Sequence, residues 1–237
     1  MKQIESDSES DEEERPYNPT RLQEPFVIYL AAPRGSGKTH QLINMLILDE
    51  YYNDVFDKIY FICPSFNQDP KYGVLDIPAS QVMTEFDEKK ITKIIKDKNE
   101  DDQYLFVFDD CITQTGFKKN TNDQVLNTIA VNGRHMGVSM IIASQKTSGS
   151  SSFVRSQADG VYMWKPRSLA EVEALYLDNS VGALSKNEFK ELLNYCTKEQ
   201  FSHLFINYQT NEVFKGTNRI NFREKGTPSP SEGKLEA

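Results

Sequence analysis

Apolar residues fall along this chain in short continuous runs separated by amphipathic stretches. The runs are 26–30 (Phe26–Leu30), 58–63, 104–108, 138–143 and 160–164. A continuous apolar run of this length, bounded by charged or turn residues, marks a strand buried on both faces, as in a parallel sheet. Between the runs, apolar positions recur at helical spacing. Leu42, Ile43, Leu46 and Ile47 predict a helix reaching about residue 50, and further helical patterns cover 87–97, 123–132, 169–177 and 186–195. The last two runs, 204–208 and 213–215, flank Thr210-Asn211-Glu212 and predict a terminal hairpin. Strand and helix in alternation predict an α/β fold: a mostly parallel central sheet covered by helices on both faces, with a C-terminal β-hairpin. Ligands of such sheets gather at the carboxyl ends of the strands.

The ends break the pattern. Residues 1–20 are charged, nearly devoid of apolar side chains and close on Pro16 and Pro19, so they read as an acidic disordered tail. Residues 223–237, rich in Ser, Pro, Gly and Glu, read as a second flexible tail. One domain, 21–222, lies between them, and 237 residues suffice for one large core.

Charge and cysteines narrow the class. The chain carries net charge -8. Residues 1–15 hold seven acids against Lys2 and Arg15, so most of that excess belongs to the tail. No global basic footprint announces a nucleic-acid partner. Cys63, Cys111 and Cys196 are odd in number and far apart, and His40, His135 and His203 are scattered. Neither set has zinc spacing or a disulfide framework, which suits a reducing compartment. No apolar run reaches the ~18 residues of a membrane span, and no signal peptide precedes the acidic start.

The first apolar run leads directly into chemistry. Phe26–Leu30 is followed by Ala32-Pro33-Arg34-Gly35-Ser36-Gly37-Lys38-Thr39. This is a P-loop in which Ala takes the leading Gly position. Gly35 and Gly37 let backbone N–H groups converge on an anion, and the helix beginning near Lys38 adds its positive end. Lys38 is placed for β- and γ-phosphates, and the Thr39 hydroxyl for Mg²⁺. The loop from Ala32 through His40 is the expected nucleotide-binding element; His40 follows in the first helical turn with no role assigned.

The second half of such a site is expected where 104–108 runs into Asp109-Asp110. Asp109 at the end of a buried strand is the candidate Mg²⁺ carboxylate, acting through water, and Asp110 the candidate base for the attacking water. Val138-Ser139-Met140-Ile141-Ile142-Ala143-Ser144 ends at Gln145, whose amide can donate to phosphate and accept from water.

The block Gly133-Arg134-His135-Met136-Gly137, followed by that strand and Gln145, resembles the signature of the FtsK–HerA superfamily. The Arg-His pair, Cys63-Pro64-Ser65 after the second strand, Asp109-Asp110 and the small size look most like genome-packaging ATPases of nucleocytoplasmic large DNA viruses, virophages and related membrane-containing viruses. The resemblance covers roughly residues 25–215. It implies an ATP- and Mg²⁺-dependent motor that translocates double-stranded DNA into a preformed capsid. It also implies a homo-oligomeric ring, a hexamer by preference, with a capsid or portal partner. The location implied is the host cytoplasm at the viral assembly site, or the virion. Arg134 becomes the candidate arginine finger acting on a neighbouring subunit's γ-phosphate, with Arg155 as the alternative finger or a DNA contact. The polar loop 146–152 and Lys118-Lys119-Asn120 become candidates for lining a DNA channel. The alternative is a nucleotide-dependent viral assembly factor that does not itself move DNA. A nucleotide kinase is disfavoured, because no Arg-rich acceptor lid is visible.

Overall fold

The computed structural model describes residues 15–111, 124–146, 149–179 and 184–221. Among these residues, nine strands form one sheet in the order β3-β2-β4-β5-β1-β6-β7-β8-β9. They are β1 Val27–Ala31, β2 Lys58–Ile62, β3 Val82–Met83, β4 Tyr104–Asp109, β5 Val138–Ser144, β6 Gly160–Met163, β7 Leu204–Asn207, β8 Glu212–Lys215 and β9 Asn218–Ile220. The first six pair in parallel; β7, β8 and β9 continue antiparallel from β6. The helices are α1 Lys38–Ile47, α2 Glu88–Lys96, α3 Gln124–Met136, α4 Ser152–Ser156, α5 Leu169–Asp178 and α6 Lys186–Cys196.

Strand side chains alternate between two apolar clusters, as the pleat requires. In β4, Tyr104, Phe106 and Phe108 enter one cluster with Leu126 and Ile129 of α3 and Phe189 of α6. Leu105 and Val107 enter the other, with Leu42 and Leu46 of α1. Both faces of the sheet are therefore covered, and every residue of β1, β4 and β5 is buried. This is the α/β sheet with an antiparallel C-terminal edge that the apolar runs predict.

The departures are local. α3 continues through Gly133 to Met136, past the predicted end at 132, and stops where Gly137 adopts a left-handed φ of 62°. β3 and β9 were not expected, nor was a short 3₁₀ helix, Pro70–Val74, between β2 and β3. The folded body also starts earlier than the tail boundary at 20. Thr20 is 1% exposed; its N–H and hydroxyl both donate to Asn18 Oδ1, and its hydroxyl meets the Tyr51 hydroxyl at 3.1 Å. Residues 1–14 and the C-terminal tail from 222 lie outside the described residues, as do Lys118-Lys119-Asn120 and positions 147 and 148 of the candidate channel loop.

A candidate nucleotide-binding site at the carboxyl ends of the central strands

β1 delivers the P-loop, β4 the two aspartates and β5 the glutamine, and these three strands are neighbours. Their registers bring the ends together: Ala31 pairs with Ser144 and Asp109 with Ala143. The Ala32 N–H then donates to the Ser144 carbonyl at 3.0 Å, tying the start of the loop to the end of β5. Gly35 and Gly37 adopt φ values of 79° and 95°, the left-handed geometry that turns successive N–H groups to one side. Within the loop the Ser36 hydroxyl donates to the Pro33 carbonyl at 2.7 Å. Arg34 and His40 are exposed, and Pro33, Ser36 and Thr39 half-buried. Phe201, exposed and at φ 65°, lies along the loop: a Cβ added at Gly37 would come 3.3 Å from its ring.

Lys38 opens α1 and is only 6% exposed. Its ammonium donates to Asp109 Oδ1 at 2.8 Å and to Asp110 Oδ1 at 3.1 Å. Burial alone would lower the lysine's pKa; the two carboxylates outweigh it and hold the group above its ordinary value. Asp110 adopts a left-handed φ of 55°, uncommon for a side chain other than Gly or Asn/Asp. Its Oδ1 accepts from both Lys38 and Gln145 Nε2, the latter at 2.8 Å. Four residues singled out in the sequence thus meet at one point.

Residue spacing does not foretell a fifth. Tyr72, on the 3₁₀ helix, donates its hydroxyl to Asp109 Oδ2 at 2.8 Å. Both groups are buried. Asp109 therefore has one oxygen held by an ammonium and the other by a phenol. Burial, reinforced by the adjacent Asp109 charge, pushes the Tyr72 hydroxyl well above its ordinary pKa, so it stays protonated and donates. No motif marks this tyrosine.

Among the described residues no group of three or more His, Cys, Asp or Glu is assembled as a metal cage. The site's donors are two carboxylates drawn onto one cation, with Thr39 one residue beyond Lys38 on α1. That set fits Mg²⁺ arriving with a nucleotide, because Mg²⁺ typically takes one or two carboxylates and completes its shell with phosphate and water. Burial pushes His203 down to about 4, leaving it a neutral ring between Tyr162 and Trp164.

The two arginines lie elsewhere. Arg134, on the last turn of α3, is paired with Asp159 Oδ1, and Asp159 Oδ2 accepts the Val27 N–H at 2.8 Å. Val27 begins β1, whereas the P-loop follows its end. Five residues of strand, roughly 17 Å, separate Arg134 from this chain's own loop. Its side chain is 66% exposed. It borders a cleft of about 340 Å³ with Phe26, Ile129 and Gln157 at the amino edge of the sheet. Arg155 is not presented to a neighbour: its side chain is 7% exposed, Nε donates to Asp178 at 2.8 Å, and a second nitrogen donates to the Ser150 carbonyl. In this arrangement it ties α4 to α5.

No protein-family model matches the chain. It is 26% identical over 141 residues, 56% of its length, to the uncharacterized protein 088R of Invertebrate iridescent virus 3; the match spans about half (52%) of that relative. Solved structures similar to it include the genome packaging NTPase B204 of Sulfolobus turreted icosahedral virus 2. With ATP-gammaS, B204 matches at TM-score 0.59 and 14% identity, over 84% of this chain and 100% of that one. With sulfate the values are 0.62 and 16%, over 82% and 97%. The pCW3 conjugation coupling protein TcpA matches at TM-score 0.51 and 14% identity, over 82% of this chain and 58% of that one. At these identities the likeness is one of fold: the chain has the P-loop NTPase fold of B204, in line with the superfamily resemblance of its motifs. No helix among the described residues is long and apolar enough to cross a membrane.

Proposed function

We propose that this chain is an ATP-hydrolysing motor that drives double-stranded DNA into a preformed viral capsid. The observation that carries the reading is the convergence of Lys38, Asp109, Asp110 and Gln145 beside the P-loop glycines at the ends of adjacent strands. It is supported by the fold shared with B204, a genome packaging NTPase, and by the partial match to a protein of Invertebrate iridescent virus 3.

In this reading the loop N–H groups and the α1 terminus bind the triphosphate. Lys38 leaves the carboxylates for the β- and γ-phosphates, which frees Asp109 and Asp110. Thr39 and Asp109 hold Mg²⁺, which supplies charge neutralisation on the phosphates when bound. Asp110 accepts the proton of the attacking water, and the Gln145 amide bridges that water and the γ-phosphate. Arg134, out of reach of its own loop, acts on a neighbouring subunit's nucleotide across a ring interface, a hexamer by preference. DNA contact is through phosphates and indifferent to sequence, so it weakens steeply with salt.

The test is ATP turnover by the purified chain with and without long double-stranded DNA at low salt, with Lys38→Ala as the blank. Strong stimulation by DNA that is lost in Arg134→Ala, with nucleotide binding intact, is expected. Turnover indifferent to DNA at concentrations where a ring is present overturns the motor reading in favour of a nucleotide-dependent assembly factor.

A further inference from the structure

The Tyr72 hydroxyl bonds directly to a candidate metal carboxylate, yet the hydrolysis chemistry gives it no task. The tyrosine is 3% exposed. Its ring stacks on Phe66 at 5.1 Å and meets Phe61 edge-on at 5.3 Å, which fixes where the hydroxyl points. The 3₁₀ helix that carries it is held at its start by Asp69, which accepts the Lys71 N–H. The hydroxyl accepts from Cys63 Sγ at 3.6 Å and spends its own proton on Asp109 Oδ2. A buried phenol oriented by two other aromatic rings is a rigid donor, unlike the flexible ammonium on the other oxygen.

The two oxygens of Asp109 therefore have different fates when nucleotide binds. Oδ1 is held by Lys38, a group that phosphates attract away. Oδ2 is held by a neutral group with no reason to leave. We propose that Tyr72 is a positioning residue that keeps Asp109 Oδ2 occupied, so that Oδ1, once released by Lys38, is the oxygen presented to the divalent cation of the bound nucleotide. The inference rests on the proposed nucleotide site. It gives the connection between β2 and β3 a role that no sequence motif records. Partners of this kind, which orient a metal-binding carboxylate without touching the metal, commonly change metal affinity by about 10- to 100-fold when removed.

The test uses Mn²⁺ as the probe, read by electron paramagnetic resonance in the presence of a non-hydrolysable ATP analogue. Tyr72→Phe keeps the ring and its stacking on Phe66 and deletes only the donor. It is expected to weaken Mn²⁺ affinity about 10-fold while leaving metal-free binding of the analogue near that of the parent. Cys63→Ala, which removes the other partner of the hydroxyl, is expected to leave Mn²⁺ affinity within about 2-fold; an equal loss in Cys63→Ala would trace the effect to general disturbance of this cluster and overturn the proposal. In an Asp109→Asn background, Tyr72→Phe is expected to add nothing, because the tyrosine acts through that carboxylate. Unchanged Mn²⁺ affinity in Tyr72→Phe, or full additivity with Asp109→Asn, overturns the proposal. A parent chain that binds neither analogue nor Mn²⁺ would instead overturn the nucleotide site itself.

Discussion

Lys38 has two jobs at the residue scale, and they can be separated. It awaits phosphate, and it balances Asp109, a carboxylate with 0% exposure, and Asp110 beside it. Removing one member of a buried ion pair leaves the other charge desolvated and costs about 3–5 kcal/mol. Lys38→Met is therefore expected to lose stability as well as ATP binding, and Lys38→Met/Asp109→Asn to recover part of the stability and none of the binding. Urea unfolding with nucleotide titration checks this; a Lys38→Met chain as stable as its parent would show that the Asp109 charge is balanced without the lysine. Most of this site was legible in the sequence, because P-loop chemistry demands particular residue types at fixed spacing and the aspartates and Gln145 close buried strands. Tyr72 was not legible. It reaches Asp109 from 37 residues away through a loop-like stretch, and any aromatic residue there would look the same on paper. The burial of Arg155 against Asp178 was not legible either, because the partner lies 23 residues away on another helix.

Among the elements, the same glycines that make the 133–137 block recognisable do structural work. Gly133 sits inside α3, where the sequence predicts the helix to have ended, since glycine is a poor helix former. It is tolerated there because the helix backbone passes close to β5: a Cβ at this position would lie 2.5 Å from the Val138 carbonyl oxygen. The obstacle is backbone, which cannot swing aside. Gly133→Ala is accordingly expected to destabilise the fold by about 1–3 kcal/mol, despite alanine's better helix propensity. Thermal melting provides the measurement, and a more stable variant would mean that α3 packs further from the sheet. The buried strands were legible because both their faces are apolar. β3 and β9, of two and three residues, carry no period to detect. Residues 15–20 were misread as tail because composition registers polarity, whereas Asn18 and Thr20 are buried through their hydrogen bonds to each other.

At the scale of the whole molecule, the proposed action on DNA sets an electrostatic problem for a chain with net charge -8. Residues 1–14 hold seven acids against Lys2, a net of -6, so the remaining 223 residues carry only -2. The tail is thus the main source of repulsion toward a phosphate backbone, wherever DNA passes. Such repulsion acts through solvent, and its range shrinks from about 14 Å at 50 mM salt to about 5–6 Å at 300 mM. Deleting residues 1–14 is therefore expected to tighten DNA binding, and to lower the DNA concentration that half-stimulates ATP turnover, by about 3- to 10-fold at 50 mM salt. The gain should fall to less than about 2-fold at 300 mM, where screening removes the tail's influence before it removes contacts made directly to phosphate. A gain that persists at high salt would point to steric obstruction by the tail. Weaker DNA stimulation after deletion would reverse the argument, because a tail that repels DNA in isolation can help the motor only by binding something basic, and the search for a capsid partner would then begin with residues 1–14.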